Sequence, residues 1–165
     1  MPRYQAAYGE LMAAKLGLPE ADESSRALVD DLLQLMAEAG ADYTLTFRRL
    51  AELAAPNSSF ESVAPIFELP ASLQGWLEKW LAKLEQQSES AANRQARMFA
   101  VNPAFIPRNH LIEETIRAAV DRNDFEPFHR LVERLSEPSR YDPADARYAM
   151  PPKSDEVVLQ TFCGT

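Results

Sequence analysis

Cys163 is the one thiol in the chain and its first candidate for chemistry. It follows an apolar segment and precedes Gly164 and Thr165, which favours an accessible position over a place in a core. An accessible thiol can exchange with disulfides or be oxidised. The sequence therefore makes Cys163 a candidate redox site, with an incidental cysteine as the equally weighted alternative.

Several ionisable side chains could act as acids or bases. His110 and His129 could each be a general base, but no Ser or Cys nucleophile stands at a recognisable spacing from either. The doublets Asp30-Asp31 and Glu113-Glu114 could hold magnesium, yet adjacent residues of a helix point about 100° apart. Structural positions for the histidines and solvated helix faces for the doublets are the favoured interpretations.

Motifs that bind nucleotides or metals are not found in the sequence. Phosphate-cradling loops need glycines close together, and the nearest two glycines here are Gly9 and Gly17. Zinc sites need several Cys or His at short spacing, and the chain has 1 Cys and 2 His. The sequence therefore assigns no catalytic, cofactor-binding or metal-binding residue.

The chain is acidic, with 17 Lys and Arg against 25 Asp and Glu and a net charge of -8. Nucleic-acid binding draws its affinity from clustered basic residues, so no such partner is expected. Membrane insertion is not expected either, because no apolar run is long enough to cross a bilayer. The first residues do not resemble a signal peptide, and a single cysteine is typical of a reducing compartment. A cytoplasmic protein is the expectation.

Apolar residues at helical spacing fill the intervals between prolines. The strongest pattern has a charged opposite face, so burial of Trp76 and Trp80 is expected. A second stripe is followed by Gly40, which is the expected C-cap. The two stripes are Leu73, Trp76, Leu77, Trp80, Leu81 and Leu84, and Leu28, Leu32, Leu35, Met36 and Ala39.

Two further helices are predicted in the first third of the chain. The first ends near Gly17, and the other begins after Asp42, a good N-cap residue. Residues 43–47 alternate apolar side chains with threonine, so a strand is the alternative at that place. The helices are indicated by Tyr4, Tyr8, Leu11 and Met12, and by Tyr43, Phe47, Leu50 and Ala54.

Turns around Pro103 and Pro107 precede two more predicted helices. One covers residues 108–122, and the last is capped by Asp124 with Pro127 tolerated in its first turn. The residues expected to face inward are Leu111, Ile112, Ile116, Ala119 and Val120 in one helix and Phe125, Phe128, Leu131, Val132 and Leu135 in the other.

The composition changes after Pro138. Residues 139–155 lack periodicity and are rich in Pro, Asp, Arg and Tyr, which predicts an irregular segment, and residues 157–162 are apolar enough to dock as a strand. We therefore expect an all-α bundle of six or seven helices over residues 1–138 and an irregular, docked C-terminal tail over residues 139–165 that ends in the Cys163 segment.

Three groups of segments resemble the C-terminal part of the SelO family, also called the YdiU group. The closing segment is the most specific of them, and together they span nearly the whole chain. They are Asn102-Pro103-Ala104-Phe105-Ile106-Pro107-Arg108-Asn109-His110-Leu111, then Tyr148-Ala149-Met150-Pro151-Pro152 with Thr161-Phe162-Cys163-Gly164-Thr165, and upstream Lys15-Leu16-Gly17-Leu18 and Ala41-Asp42-Tyr43-Thr44 with Phe47-Arg48 and Leu50.

The resemblance implies a function that the residues alone do not. SelO proteins have a kinase-like fold that binds ATP in an inverted pose with magnesium or manganese and transfers AMP to Ser, Thr or Tyr hydroxyls of proteins. Their catalytic residues lie in a part that this chain lacks, so none carries over. Cys163 matches the family's redox-active position, which holds selenocysteine in some members.

The hypothesis is a helical C-terminal portion that supports a kinase-like catalytic part, with Cys163 regulating the enzyme by redox chemistry. The expected partners are that kinase-like part and, in the full enzyme, protein substrates. A free-standing helical interaction or dimerisation module is the alternative. In either case the isolated chain could form a homo-oligomer that hides apolar surface.

Overall fold

The computed structural model describes residues 2–55 and 72–160, which contain helices and turns but no strand. The predicted all-α fold class is confirmed. None of the helices in these ranges is long and apolar enough to cross a membrane. The first compact unit comprises Met1–Asn102 and the second Pro103–Thr165. The predicted boundary after residue 138 falls inside the second unit, and as a domain division it stays a prediction.

Eight α-helices and one 3-10 helix form the described part of the chain. The first unit contains α1 (Pro2–Lys15), α2 (Glu23–Ala39), α3 (Tyr43–Leu53), α4 (Ser72–Glu85) and α5 (Ala91–Val101), and the second contains α6 (Asn109–Arg122), α7 (Glu126–Ser136), the 3-10 helix (Pro143–Asp145) and α8 (Ala146–Ala149).

The core of the first unit is built around the two tryptophans of α4. The rings of Trp76 and Trp80 stack with centroids 5.7 Å apart, and both side chains are buried as predicted. The Trp76 indole N–H donates to the carbonyl of Leu28 at 2.8 Å, and that of Trp80 to the carbonyl of Leu16 at 2.9 Å. Each ring is therefore buried with its polar end satisfied.

Local chemistry sets the ends of the helices in the first unit. The Asp42 carboxylate accepts a hydrogen bond from the Leu45 N–H at 2.8 Å, so the predicted helix forms and the alternative strand is wrong. Gly40 ends α2 with φ 61°, as predicted. Gly17 follows α1 with φ 70°, and a Cβ there would lie 2.7 Å from the Met98 sulfur. Backbone conformation and packing both require glycine at that position.

The first helix forms as predicted, but most of the residues that indicated it are exposed. Met12 is buried, whereas Tyr4, Tyr8 and Leu11 lie at the surface. The spacing of apolar residues therefore located α1 without identifying its buried face.

The buried face of α6 differs from the predicted one. Leu111, Thr115 and Ala118 are buried, while Ile116 and Val120 are exposed. The Thr115 hydroxyl donates to the backbone carbonyl three residues earlier at 2.7 Å, so its polar group is satisfied inside the helix. A prediction based on apolar residues alone could not include a buried threonine.

The helix α7 also leaves predicted core residues at the surface. Leu131 is buried, but Phe125, Phe128 and Val132 are exposed, so the predicted inward positions of these three are wrong. Asp124 accepts a hydrogen bond from the first backbone N–H of the helix at 3.0 Å. The amphipathic pattern identified an apolar face but not whether the second unit covers it.

The segment predicted to be irregular contains the 3-10 helix and α8. Ala149 of α8 is buried with Ala104 and Phe105, whose N–H groups donate to the Pro138 carbonyl at 2.7 and 3.1 Å. The predicted strand over residues 157–162 is wrong for 157–160, which form no strand, and 161–162 lie outside the described residues.

Candidate functional site

Asn102 forms the centre of a buried polar junction in the first unit. Its side chain is 1% exposed, and its Oδ1 accepts a hydrogen bond from Lys15 Nζ at 3.1 Å. Its Nδ2 donates to the Lys15 backbone carbonyl at 2.9 Å. Because a buried amide is tolerated when it is hydrogen-bonded, this reciprocal pairing ties the end of α1 to the end of α5.

Lys15 is held at the junction by a carbonyl and two aromatic rings. Its Nζ donates to the Val101 carbonyl at 3.3 Å and lies 5.2 Å from the centroid of Phe47 and 5.7 Å from that of Tyr43. The carbonyl dipole and the ring faces stabilise the ammonium where water is partly excluded. Burial nevertheless lowers the pKa of Lys15, because it penalises the charged form.

Arg48 of α3 completes the junction. Its Nη1 donates to the Asn102 backbone carbonyl at 3.1 Å, and its guanidinium carbon lies 4.0 Å from the centroid of Phe99. Lys15, Arg48 and Asn102 come from three separate segments that carry the family resemblance, and the fold brings them together. This junction was not predicted from the sequence. The only indication in the sequence is that its three polar residues all lie in segments that resemble the family.

An open cleft of about 650 Å³, lined by both charged and apolar residues, lies beside α6 in the second unit. His110 and Glu114 of α6 line it together with Glu156 of the C-terminal segment. The guanidinium of Arg147 forms an ion pair with Glu114 near this cleft. The structure therefore surrounds one predicted candidate, His110, with charges of both signs.

His110 is biased toward its neutral form in this cleft. Burial lowers its pKa, while the charges of Glu156 and Glu114 act in the opposite direction. Its Nδ1 is buried and has no hydrogen-bond partner among the described residues. A neutral imidazole can accept a proton, but the described lining contains no Ser, Thr or Cys that it could activate. The described part of the cleft therefore contains a group that can exchange a proton, His110, but no nucleophile.

The remaining sequence candidates lie on the surfaces of their helices. His129 is exposed on α7, and Asp30 and Asp31 are exposed on α2. Glu113 pairs with Arg117 at 2.8 Å, four residues further along α6. The exposure of Asp30 and Asp31 and the ion pair of Glu113 agree with solvated helix faces.

The redox residue and the metal implied by the resemblance are the last two expectations. Cys163 lies outside the described residues, so its redox role stays a prediction. Within residues 2–55 and 72–160, no group of three His, Cys, Asp or Glu side chains is arranged to hold a metal ion. The described residues thus do not fit the magnesium or manganese that the resemblance implies for the complete enzyme.

Comparison with known proteins gives the same family that the segments suggest. The family model described as "Protein adenylyltransferase SelO" matches residues 1–136. A protein of Rhodopseudomonas palustris strain BisB18 named "Protein nucleotidyltransferase YdiU" is 49% identical over 163 residues, which are 99% of this chain and 33% of that protein. Proteins of the same name from Methylorubrum populi and Rhizobium etli are 46% and 45% identical.

The chain spans about a third of the length of these curated relatives, 33% or 34% in the cases above. The family match includes α1 to α7, and therefore the whole Asn102 junction as well as the α6–α7 hairpin. The match covers most of the chain, and the relatives extend the similarity to nearly all of it. This chain therefore belongs to the SelO family of nucleotidyltransferases.

Proposed function

We propose that this chain is the helical C-terminal portion of a cytoplasmic protein adenylyltransferase, which transfers AMP from ATP to Ser, Thr or Tyr hydroxyls of proteins. In this proposal a kinase-like part binds ATP with magnesium or manganese and performs the transfer, and the present chain supports it. The family match over residues 1–136 supports the activity class. The relatives are about three times as long as this chain, which supports a separate catalytic part outside it.

The observation that carries the supporting role is the Asn102 junction. The polar groups of Lys15 and Asn102 are used in hydrogen bonds inside the fold, at 3.1 and 2.9 Å, and Arg48 joins them at 3.1 Å. Polar groups that are paired with one another inside the fold in this way position helices. The segments typical of the family therefore hold this part of the protein in shape.

A chimera tests the proposed function. In it, the present chain replaces the matching 163 residues of the Rhodopseudomonas palustris BisB18 relative. With radiolabelled ATP and either magnesium or manganese, we expect the chimera to label proteins and the isolated chain to label none. The relative without its matching third is expected to be much less active, because its catalytic part lacks support. Labelling by the isolated chain, or full activity without this third, would contradict the proposal.

Redox regulation by Cys163 is the second element of the proposal. The Cys163 thiol and a partner thiol in the kinase-like part would form a disulfide, and the two electrons and two protons would pass to a disulfide oxidant. The same chimera with Cys163→Ser separates this effect from general oxidation. We expect oxidised glutathione to change the labelling rate of the parent chimera and not that of Cys163→Ser, with recovery after reduction. Equal responses of both proteins would contradict the redox role.

A further inference from the structure

The second unit leaves apolar side chains exposed on two neighbouring helices and on the residues that join them. The helices α6 and α7 pack against each other as a hairpin joined by residues 123–125. Their exposed side chains include two aromatic rings, and the most exposed of the set, Val120, is 77% exposed. We call this set the hairpin face. It consists of Ile116, Val120, Phe125, Phe128 and Val132.

The hairpin face extends the buried side of α7. Since each residue advances about 100° around a helix, Phe128 and Val132 lie about 60° and 100° from the buried Leu131 on one side. Arg130 and Glu133 lie on the other side of the same helix and are exposed. The apolar arc of α7 is therefore wider than the part that the second unit covers, which is typical of a surface made for a partner.

Charged residues on the same two helices form ion pairs with each other. Glu113 pairs with Arg117 on α6 at 2.8 Å, and Glu126 pairs with Arg130 on α7 at 2.9 Å. Both pairs are solvent-exposed and each is formed within a single helix, so neither needs a partner for its charge. These charges are therefore satisfied without a partner, so the apolar side chains are the part of this surface that is left uncovered.

The occupant follows from the comparison of lengths. The family match ends at residue 136, so it includes the complete hairpin, and the relatives contain about two further residues for each one here. We propose that the hairpin face docks on the catalytic part of the family protein, the part that this chain does not contain. This inference rests on the proposed function, because that function supplies the partner.

Hydroxyl-radical footprinting tests the docking directly on side chains. The isolated chain and the chimera with the BisB18 relative are compared for oxidation of Phe128, which is 48% exposed here. We expect a several-fold slower oxidation of Phe128 in the chimera. Val132→Glu should restore fast oxidation in the chimera, because a carboxylate in an apolar interface is costly. The control, Arg130→Glu, also introduces a carboxylate but on the opposite side of α7, where it breaks the pair with Glu126, and it should leave Phe128 protected.

The outcomes separate this inference from the proposed function, because labelling by the chimera is measured independently. Labelling without protection of Phe128 would overturn the docking face and leave the function standing. Protection without labelling would support the docking face and count against the function. Concentration-dependent protection in the isolated chain would show that a second copy covers the face, and this would overturn the inference.

Discussion

The two units of the chain are stabilised in different ways. In the first unit, α1 to α5 all contribute to one large apolar cluster centred on the α4 tryptophans. In the second, the described apolar cluster is small and consists of Ala104, Phe105 and Ala149 with two partly buried neighbours. Backbone hydrogen bonds to Pro138, the half-buried Arg134–Asp145 ion pair and the exposed Arg147–Glu114 ion pair also stabilise it. Exposed ion pairs contribute little free energy, so the second unit has less of its own stabilisation.

This comparison predicts very unequal costs for truncating an aromatic ring in each unit. Trp80→Ala should lower the free energy of unfolding by about 3–5 kcal/mol, because it removes a fully buried ring and leaves a cavity. Phe128→Ala, its counterpart in the second unit, should change that free energy by about 0.5 kcal/mol or less. Urea unfolding followed by far-UV circular dichroism measures both. Similar losses for the two variants would show that the second unit is covered as well as the first.

A smaller loss is expected when the polar junction of the first unit is broken. Asn102→Ala removes the donor to the Lys15 carbonyl and one of the two hydrogen-bond acceptors of the Lys15 ammonium, at a cost of about 1–3 kcal/mol. Asn93→Ala, on the exposed side of α5, which ends just before Asn102, is the matched control and should be close to neutral. The same urea titrations provide the measurement. If the two variants unfold alike, the junction does not stabilise the first unit.

The contrast also explains which features the sequence could predict. Trp76, Trp80 and the Asp42 cap were predictable, because a regular apolar stripe and a capping residue each act through neighbours a few positions away. The exposure of Phe128 and the burial of Thr115 were not, because each depends on what packs against the helix from a distant part of the chain. An amphipathic helix shows which side avoids water but not whether this chain covers that side.

Contacts at the candidate sites also fall into those that local spacing predicts and those that depend on distant parts of the chain. The pairing of Glu113 with Arg117 was within reach of the sequence, since helix spacing alone places them together. The junction of Lys15, Arg48 and Asn102 joins residues up to 87 positions apart, and only the fold brings them together. A polar residue inside a family-typical segment is the signal that could have indicated it.

The N-cap of α3 gives a finer measure of local stabilisation in the first unit. Asp42→Ala removes the acceptor for the Leu45 N–H and should cost about 1 kcal/mol. Asp42→Asn keeps an acceptor at the same place and should cost only a fraction of that amount. Midpoints of thermal unfolding for the three proteins provide the measurement. An Asn variant as unstable as the Ala variant would show that charge, and not capping, is the source of the effect.

The smallest predicted effect is a pH dependence that originates in the second unit. Burial holds the pKa of His110 below its usual 6.5, so the unfolded chain binds the proton more readily than the folded one. The free energy of unfolding should therefore fall as the pH drops through and below about 6.5. Glu156 and Glu114 raise the pKa of His110, and Arg108 and Arg147 lower it, so these charges modulate a shift that burial dominates.

Thermal unfolding at about pH 7.5 and about pH 5.5 in His110→Gln isolates this contribution, because glutamine does not titrate in that range. The parent should lose more stability than the variant on acidification. The matched control is His129→Gln, which removes the exposed histidine of α7 and should keep the parent's response. An equal loss in parent and His110→Gln would mean that the imidazole is as well solvated in the folded chain as in the unfolded one. The cleft beside α6 would then be open enough to hydrate it, and the second unit would be still less compact than its small core suggests.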